Sequence, residues 1–440
     1  MAENSKKLHI AVFPWLAFGH MIPYLELSKL IAQKGHKISF ISTPRNIDRL
    51  PKLPPSLAPF LNFVKIPLPH VEKLPKNAEA STDLSYEQVK YLKLAQDELK
   101  EPMARFLEDS APDFIFFDFT SYRLPSIASK FNIPTGYFSI FVAAYLGFTG
   151  PVPGLNNNYE NRMTLEELTV SPKWVPFETA VAFKEFELLR IYEGCKEGEE
   201  ENFYDISRIG YTPETGDPGG PTSDEDDNTD IDAWREIKLW LDKQEKGKVI
   251  YVAFGSEAKL SQNELTELSL GLELSELPFF WVLRTKRGES DDELIQLPEG
   301  FEERTKERGI VYTSWVPQLK ILSHDSVGGF LTHAGWSSIV EAIQFEKPLL
   351  LLTFLADQGI NVRLLEEKKV AYLIPRNDWD GSFTHDAVVE SLYLVLRVKE
   401  GEIYRKKIKE VKNLCCGKKR QDDYVENLLR FLQNYKKIKV

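Results

Sequence analysis

The residues between Trp315 and Gln358 have the types and spacing of a site that binds an anionic ligand. Two short apolar runs, Gly328–Thr332 and Pro348–Phe354, are typical of buried parallel strands. Between them, His333 and Ser337-Ser338 open a segment whose apolar spacing predicts a helix. The first N–H groups of a helix have no partner within it, and its dipole favours negative charge there. The stretch therefore predicts a phosphate site to which His333 and the serines add donors.

Other side chains in this part of the chain suit the remaining pieces of a nucleotide sugar. Trp315 offers a flat face on which a base could stack, and Glu341 could accept hydrogen bonds from a ribose diol. Asp357 and Gln358 could face the hydroxyls of a sugar. Gly255-Ser256, after a predicted strand at 249–254, is a second place where backbone N–H groups could meet a diphosphate.

His20 and Asp118 form a second candidate group, whose types suit proton transfer. Each follows a predicted buried strand, and ligands of open parallel sheets bind beyond such strand ends. A histidine there could take a proton from a hydroxyl near neutral pH. A carboxylate on its other ring nitrogen would fix the tautomer and stabilise the charged ring. The apolar spacing that follows predicts a helix over Ile22–Gln33, ended by Gly35, which leaves His20 in the loop before it. From the residues alone, a histidine in a loop is more often structural or solvated.

Both groups resemble those of plant family 1 UDP-sugar-dependent glycosyltransferases of the secondary-product type. The stretch has the opening Trp, the Pro-Gln, the His-x-Gly-Trp, the Glu and the closing Asp-Gln of that family's signature box. The run Pro-Trp-x-x-x-Gly-His-x-x-Pro around His20, and the position of Asp118, match the family's catalytic pair. The resemblance implies that His20 is the general base and that Asp118 orients it.

The resemblance also implies a role for each residue of the box. Trp315 would stack on uracil beside Gln318, His333 and Ser338 would contact phosphate, Glu341 the ribose, and Asp357 and Gln358 the donor sugar. Ser337 stands where the family usually has Asn, which weakens one phosphate contact. The full donor-binding prediction comprises Gly255, Ser256, Trp315, Val316, Gln318, His333, Gly335, Trp336, Ser337, Ser338, Glu341, Asp357 and Gln358.

The function implied is an inverting transfer of a sugar from a UDP-sugar to a hydroxyl of a plant terpenoid or flavonoid glycoside. The Gly-Trp-Ser-Ser form and the N-terminal run resemble the branch that adds a sugar to a sugar. The closing Asp-Gln favours UDP-glucose, with UDP-rhamnose and UDP-xylose as alternatives. No permanently bound cofactor and no metal are expected. The rival hypothesis is a nucleotide-sugar-binding homologue with little or no turnover, because segment 209–232 is altered.

Strands alternate with helical patterns along the chain, which predicts an α/β protein with parallel sheets. With the resemblance, this indicates two doubly wound Rossmann-like domains that face a cleft, the GT-B arrangement. Residues 209–233 are rich in Gly, Pro and acidic side chains where relatives carry further residues, so we expect a truncated N-terminal sheet with its free edge near 135–140. The predicted parts are an acceptor-binding domain at 1–208, an altered linker at 209–233, a UDP-sugar-binding domain at 234–420 and a helix at 421–440 that crosses back to the N-terminal domain.

The acceptor site is harder to predict because it varies most within the family. Residues 140–208 are rich in aromatic side chains, and relatives build much of their acceptor pocket there. An aromatic cluster is nevertheless more often core. Arg123 stands where close relatives tend to carry Trp. The acceptor-binding candidates are Arg123, Phe138, Phe141, Tyr145 and Phe148.

Composition and charge exclude several other classes of function. The length of 440 residues allows two to three domains, each with its own core. The net charge of −11 argues against binding to nucleic acid or to an anionic membrane surface. Three cysteines give no disulfide framework, and neither a signal peptide nor a run of about eighteen apolar residues is present. The phosphate loops of nicotinamide and P-loop enzymes are missing. We expect a monomeric, cytoplasmic enzyme whose partners are a UDP-sugar and a small glycoside.

Overall fold

The chain folds into two compact α/β units. The first comprises Met1–Ile140 and Cys415–Val440, and the second Phe141–Leu414. Each is a parallel sheet with helices packed on it, which confirms the predicted class. The structure is a computed structural model, and it describes residues 7–85, 88–149, 164–195, 231–255, 258, 260–284, 295–354 and 357–438.

The helices of the described residues cover both sheets. In chain order they are α1 (Phe18–Gln33), α2 (Pro44–Arg49), α3 (Val89–Asp97), α4 (Lys100–Ser110), α5 (Leu124–Ser129), α6 (Ala143–Thr149), α7 (Leu165–Leu168), α8 (Glu185–Cys195), α9 (Ile231–Asp242), α10 (Gln262–Leu274), α11 (Phe301–Thr305), α12 (Gln318–Ser323), α13 (Trp336–Gln344), α14 (Gln358–Glu367), α15 (His385–Leu396), α16 (Glu402–Cys415) and α17 (Lys418–Ile438). Short 3₁₀ turns, such as Phe119–Ser121, lie between some of them.

The first unit is built around β1, at the centre of its sheet. The strands are β1 (His9–Phe13), β2 (Lys37–Ser42), β3 (Leu61–Lys65), β4 (Phe114–Phe117) and β5 (Thr135–Tyr137). Among the described residues their order is β3-β2-β1-β4-β5, all parallel. The order reverses between β1 and β4, and ligands of such sheets bind beyond the carboxyl ends at this point. His20 and Asp118 follow these two strands.

β5 lies at one edge of the described sheet, where the sequence predicted a free edge near 135–140. The prediction that strands are missing depends on residues 196–230, which lie outside the described residues. It therefore stays a prediction.

Helix α1 begins one turn earlier than the sequence predicted. A helix was expected from Ile22 onward, with His20 in the preceding loop, but α1 begins at Phe18 and places His20 in its first turn. The His20 N–H donates to the carbonyl of Ala17 over 3.0 Å. Gly19 and Pro23 both disfavour helix and concealed this start. The end is as predicted, because Gly35 takes a φ of +79° just beyond the last residues of the helix.

The end of the chain returns to the first unit through α17. Its side chains Val425, Leu429 and Leu432 are buried in the same core as the apolar face of α1. Lys34 adds ion pairs to Asp422 at 3.1 Å and to Glu426 at 3.0 Å. Burial of this apolar face against α1 explains why the last helix joins the first unit.

The second sheet is arranged in a similar way around β6. Its strands are β6 (Val249–Ala253), β7 (Phe279–Val282), β8 (Gly309–Tyr312), β9 (Val327–Thr332), β10 (Leu349–Leu351) and β11 (Ala371–Leu373). The described order is β11-β10-β9-β6-β7-β8, again parallel. The order reverses between β6 and β9, where Ala253 pairs with Thr332. Gly255 and His333 therefore leave the sheet side by side.

Residues 141–195 group with the second unit in their described parts. A buried ion pair joins Glu187 of α8 to Arg363 of α14 at 3.1 Å, and Phe148 packs edge-on against Phe183. The sequence had assigned this stretch to an N-terminal domain at 1–208. The predicted boundary at 208/209 itself lies outside the described residues.

The described residues lack two features, a membrane-spanning helix and a cluster of metal ligands. No helix there is both long and apolar enough to cross a membrane. In the same residues, no cluster of three or more His, Cys, Asp or Glu side chains could hold a metal ion.

Candidate functional site

His20 and Asp118 meet in the first unit as a buried hydrogen-bonded pair. His20 Nδ1 lies 2.7 Å from Asp118 Oδ2, and neither side chain is exposed. The backbone N–H of Trp15 donates to the same oxygen at 3.1 Å, and the N–H of Phe119 donates to Oδ1 at 2.8 Å. Loops after β1 and β4 thus fix the carboxylate from both sides.

The geometry of this pair assigns the tautomer of the histidine. An ionised carboxylate can only accept hydrogen bonds, so His20 Nδ1 carries the proton and Nε2 of the neutral ring has the basic lone pair. The Phe119 ring packs on the imidazole with a centroid distance of 5.4 Å. An imidazole held in this way can take a proton at Nε2 while Asp118 stabilises the resulting charge.

Tyr24, Tyr137 and Phe138 lie near this pair in the first unit. Tyr24 is buried and donates its hydroxyl to the carbonyl of Phe138 over 2.7 Å. Burial, opposed in part by a hydrogen bond with Ser139, raises the pKa of Tyr137 to about 12. Both phenols are therefore protonated at neutral pH and can act only as hydrogen-bonding groups.

The predicted acceptor residues fall into two sets. Arg123 precedes α5, where its guanidinium lies over the Tyr122 ring and Nε donates to the Tyr122 hydroxyl at 2.7 Å. Phe138 packs against Tyr24 in the first unit. The other candidates belong to the second unit and are buried among its own side chains: Phe141, Tyr145 and Phe148. Their proposed role as acceptor contacts stays a prediction.

His333 lies at the carboxyl end of β9, between two glycines. A Cβ built on Gly255 would lie 2.9 Å from His333 Cε1, and one built on Gly335 would lie 2.5 Å from Nε2. Gly255 also has a φ of +71°, which other residues rarely adopt. The absence of side chains at these two positions makes room for the ring. The sequence named both glycines as candidates without predicting this packing.

Burial determines the charge of His333. The side chain is almost completely buried, and loss of hydration lowers its pKa to about 4. Its Nδ1 lies 3.2 Å from Thr332 Oγ1. At neutral pH this histidine is uncharged, so it can donate one hydrogen bond and accept another but supplies no positive charge.

The start of α13 adds an anion-binding group beside His333. Gly335 precedes the first turn, which contains Trp336, Ser337 and Ser338. A glycine has no side chain with which to cap these N–H groups, and the helix dipole favours an anion there. Ser338 is buried, whereas Trp336 and Ser337 are half-buried.

Gln318, Ser338 and Glu341 form one buried network, as their predicted contacts to one nucleotide require. Gln318 Nε2 donates to Glu341 Oε2 at 2.8 Å and to Ser338 Oγ at 3.3 Å. Its Oε1 accepts from the hydroxyl of Tyr251 at 3.0 Å. Tyr251 was not a sequence candidate; the only signal was a hydroxyl on a buried strand, which needs a partner.

Trp315 and Val316 precede this network and differ in burial. Trp315 is 40% exposed, although large aromatic side chains are usually buried, while Val316 is buried. An exposed indole face is what stacking on a base would require. Ser256 lies outside the described residues.

Asp357 and Gln358 lie at the start of α14 in fixed orientations. Asp357 Oδ2 accepts from Asn361 Nδ2 at 2.7 Å, and Gln358 Oε1 accepts from the N–H of Phe354 at 2.8 Å. Asn361 Nδ2 also donates to the carbonyl of Ala334 at 3.1 Å, which connects α14 to the turn after His333. Asn361 was missed, although an Asn four residues after an Asp has the spacing of side chains that pair on a helix.

Comparisons with known proteins show which sequences this chain resembles. The family model described as UDP-glucoronosyl and UDP-glucosyl transferase matches residues 230–412. The chain is 50% identical to UDP-glycosyltransferase 91A1 of Arabidopsis thaliana, over 98% of this chain and 97% of the relative. It is 39% identical to the Soyasaponin III rhamnosyltransferase of Glycine max, over 99% of this chain and 97% of that relative. The alignment with the Arabidopsis protein spans 461 positions, more than the whole chain, so that relative has residues without a counterpart here.

A solved structure shows the same fold. The crystal structure of a UGT transferase from Siraitia grosvenorii in complex with UDP superposes with a TM-score of 0.73 and 20% identity, over 97% of this chain and 100% of that one. At this identity the likeness shows the fold alone.

Proposed function

Because this chain belongs to the plant UDP-glycosyltransferase family and has its GT-B fold, we propose that it moves glucose from UDP-glucose to a hydroxyl of a plant terpenoid or flavonoid glycoside. The observation that carries the proposal is the buried hydrogen bond of 2.7 Å between His20 and Asp118. A histidine with a purely structural role does not need a carboxylate partner. Here the partner, Asp118, is itself held in place by two backbone N–H groups.

His20 acts as the general base in this proposal. Its Nε2 takes the proton from the acceptor hydroxyl as that oxygen attacks the anomeric carbon of the donor sugar. The new bond forms as the bond from the anomeric carbon to the diphosphate oxygen breaks, and UDP leaves with the electron pair. Attack opposite the leaving group inverts the anomeric configuration. Asp118 stabilises the imidazolium and is not protonated itself.

The leaving UDP gathers negative charge, and the second unit has groups suited to it. The N–H groups at the start of α13 and a neutral His333 supply hydrogen bonds and a helix dipole. Gln318 and Glu341 hold the base and the ribose, and Trp315 stacks on the uracil. Asp357 and Gln358 bind the sugar hydroxyls.

UDP-rhamnose is the second candidate donor. The name of the Glycine max relative, a rhamnosyltransferase, favours it, whereas the Asp357-Gln358 pair favours glucose. A monomeric state and a cytoplasmic location stay predictions.

Competition between donors tests the proposal. The protein is incubated with equal concentrations of UDP-glucose, UDP-rhamnose and UDP-xylose and a panel of terpenoid and flavonoid glycosides, and products are identified by mass. We expect a hexose to be added to at least one glycoside. A deoxyhexose product would show that the transferred sugar is rhamnose and not glucose. UDP binding without any product would support the binding-protein hypothesis instead.

A further inference from the structure

The structure shows a buried carboxylate, Glu187, that the mechanism above does not use. Glu187 lies in the first turn of α8 and is 7% exposed. Its Oε1 accepts from Thr353 Oγ1 at 3.0 Å, and both of its oxygens lie 3.1 Å from Arg363 Nη2. Its Oε2 also accepts from the N–H of Lys184 at 2.9 Å. Both of its oxygens accept hydrogen bonds, so the carboxylate is held in one orientation within the second unit.

The partners of Glu187 lie on both sides of Asp357-Gln358. Thr353 follows β10 and precedes the pair, and Arg363 lies in α14 beyond it. Arg363 Nη1 donates in turn to the carbonyl of Gly359 at 3.3 Å. A Cβ on Gly359 would collide with Glu187 Oε2, so the backbone next to Gln358 lies directly against the carboxylate.

A second ion-pair group fixes the chain at the same point. Arg376 Nη2 donates to the carbonyl of Thr353 at 2.9 Å, and its guanidinium lies 5.2 Å from the centre of the Phe354 ring. Arg376 also pairs with Glu264 at 3.3 Å, and Glu264 pairs with Arg190 of α8 at 3.0 Å. Helix α8 therefore contacts this part of the second unit through two buried carboxylates, Glu187 and Glu264. Glu187 contacts Thr353 and Arg363, which lie on either side of Asp357-Gln358.

We propose that Glu187 is a positioning residue that sets where Asp357 and Gln358 meet the donor sugar. This inference rests on the proposed function, because it takes these two residues as the sugar contacts. Glu187 does not touch the nucleotide network of Gln318, Ser338 and Glu341 through any hydrogen bond found among the described residues. Its loss should therefore weaken binding of the sugar part of the donor and leave binding of UDP unchanged.

Calorimetry of UDP and of UDP-glucose on the full chain tests this separation. In Glu187→Gln and Thr353→Val, UDP-glucose should bind roughly ten- to a hundredfold more weakly, the range found when residues that orient metal-binding side chains are replaced. UDP affinity should stay within about twofold of the wild-type value, a difference in binding free energy well under 1 kcal/mol. Thr353→Val removes one hydrogen bond but keeps the Glu187–Arg363 ion pair, so it keeps the test available if the first variant does not fold. Arg304→Gln is the control: it removes an ion pair of the second unit, with Glu273 at 2.6 Å, that takes no part in these contacts, so it should leave both affinities unchanged.

Hydrogen exchange of the amides at 358–363, measured without ligand, gives a second readout. Exchange there should be faster in both variants than in the wild type and in Arg304→Gln. Equal weakening of UDP and UDP-glucose would overturn the positioning role, because it would indicate general loss of structure. Wild-type affinity for UDP-glucose in both variants would overturn it too. If the wild-type protein binds no UDP-sugar at all, the proposed function fails, a result distinct from any difference between variants.

Discussion

His20 Nδ1 and Asp118 Oδ2 lie 2.7 Å apart, although the two residues are separated by 98 positions in the chain. Their contact exists because β1 and β4 are neighbours in the first sheet and both end at the same edge. The backbone N–H groups of Trp15 and Phe119 hold Asp118 in place whether or not a substrate is bound. The pair is thus preorganised. Replacement of His20 and replacement of Asp118 should have different effects on activity.

Replacement of His20 should affect turnover and not nucleotide binding. In His20→Ala we expect kcat to fall by roughly 10²–10⁴, the contribution of a general base. UDP affinity should be unchanged, because all the predicted nucleotide contacts lie in the second unit. Asp118→Asn should lose activity less completely, since the ring keeps a hydrogen-bonding neighbour. Steady-state kinetics and calorimetry measure the two effects; near-normal turnover in His20→Ala would rule out its role as the base.

Gly255→Ala should weaken UDP binding because a methyl group there meets the His333 ring. The new Cβ would lie 2.9 Å from His333 Cε1, on a backbone with a φ of +71°. The control is Gly247→Ala, where φ is +67° but nothing lies within 4 Å of the new Cβ. Both variants carry backbone strain of roughly 1–2 kcal/mol, and Gly255→Ala adds the overlap with His333, so its melting temperature should fall at least as far as that of the control. Only Gly255→Ala should also lose UDP affinity; equal affinities would show that His333 does not need this space.

Trp315→Ala should weaken UDP binding by roughly 1–3 kcal/mol, the usual contribution of a base stacked on an aromatic ring. The side chain is 40% exposed, so its removal should change thermal stability little. Trp379→Ala provides a matched control, because Trp379 is 80% exposed in the same unit and lies outside the donor motif. Calorimetry with UDP compares the two. Unchanged affinity in Trp315→Ala would remove the stacking role.

Acid should destabilise the protein through His333. Its pKa is about 4 in the folded protein, against 6.5 for a free histidine. Between these values the unfolded chain binds a proton that the folded chain does not, so the free energy of unfolding falls as the pH falls. The total is about 3 kcal/mol between pH 6.5 and pH 4. Urea unfolding at several pH values should show a shallower pH dependence in His333→Asn than in the wild type, and identical slopes would contradict the assignment.

The parts of the site that depend on the order of strands and on local motifs could be predicted from the sequence. His20 and Asp118 follow apolar runs that are recognisable as strands, and the order of residues from Trp315 to Gln358 predicts which side chains contact the donor. The fold class follows from the same alternation of strands and helices. These features depend on near neighbours in the chain or on a rule of sheet topology.

The contacts that fix the site could not be predicted, because they join distant residues through side-chain geometry. Glu187 and Arg363 are 176 positions apart, and neither has a local pattern that indicates the other. The packing of Gly255 on His333 depends on the register of β6 against β9. The early start of α1 was hidden for a local reason, since Gly19 and Pro23 have low helix propensity and only tertiary packing overrides it.

The return of α17 to the first unit has a consequence for synthesis on the ribosome. Leu429 and Leu432 complete the core around β1 and α1, yet they are translated only after the whole of the second unit. The second unit, which ends at Leu414, has its whole sequence available earlier. At ~5–20 residues per second, the nascent first sheet waits roughly 15–60 s for its closing helix. During that time the apolar face of α1 is open to chaperones, and the unit that begins first in the chain is the one that finishes last.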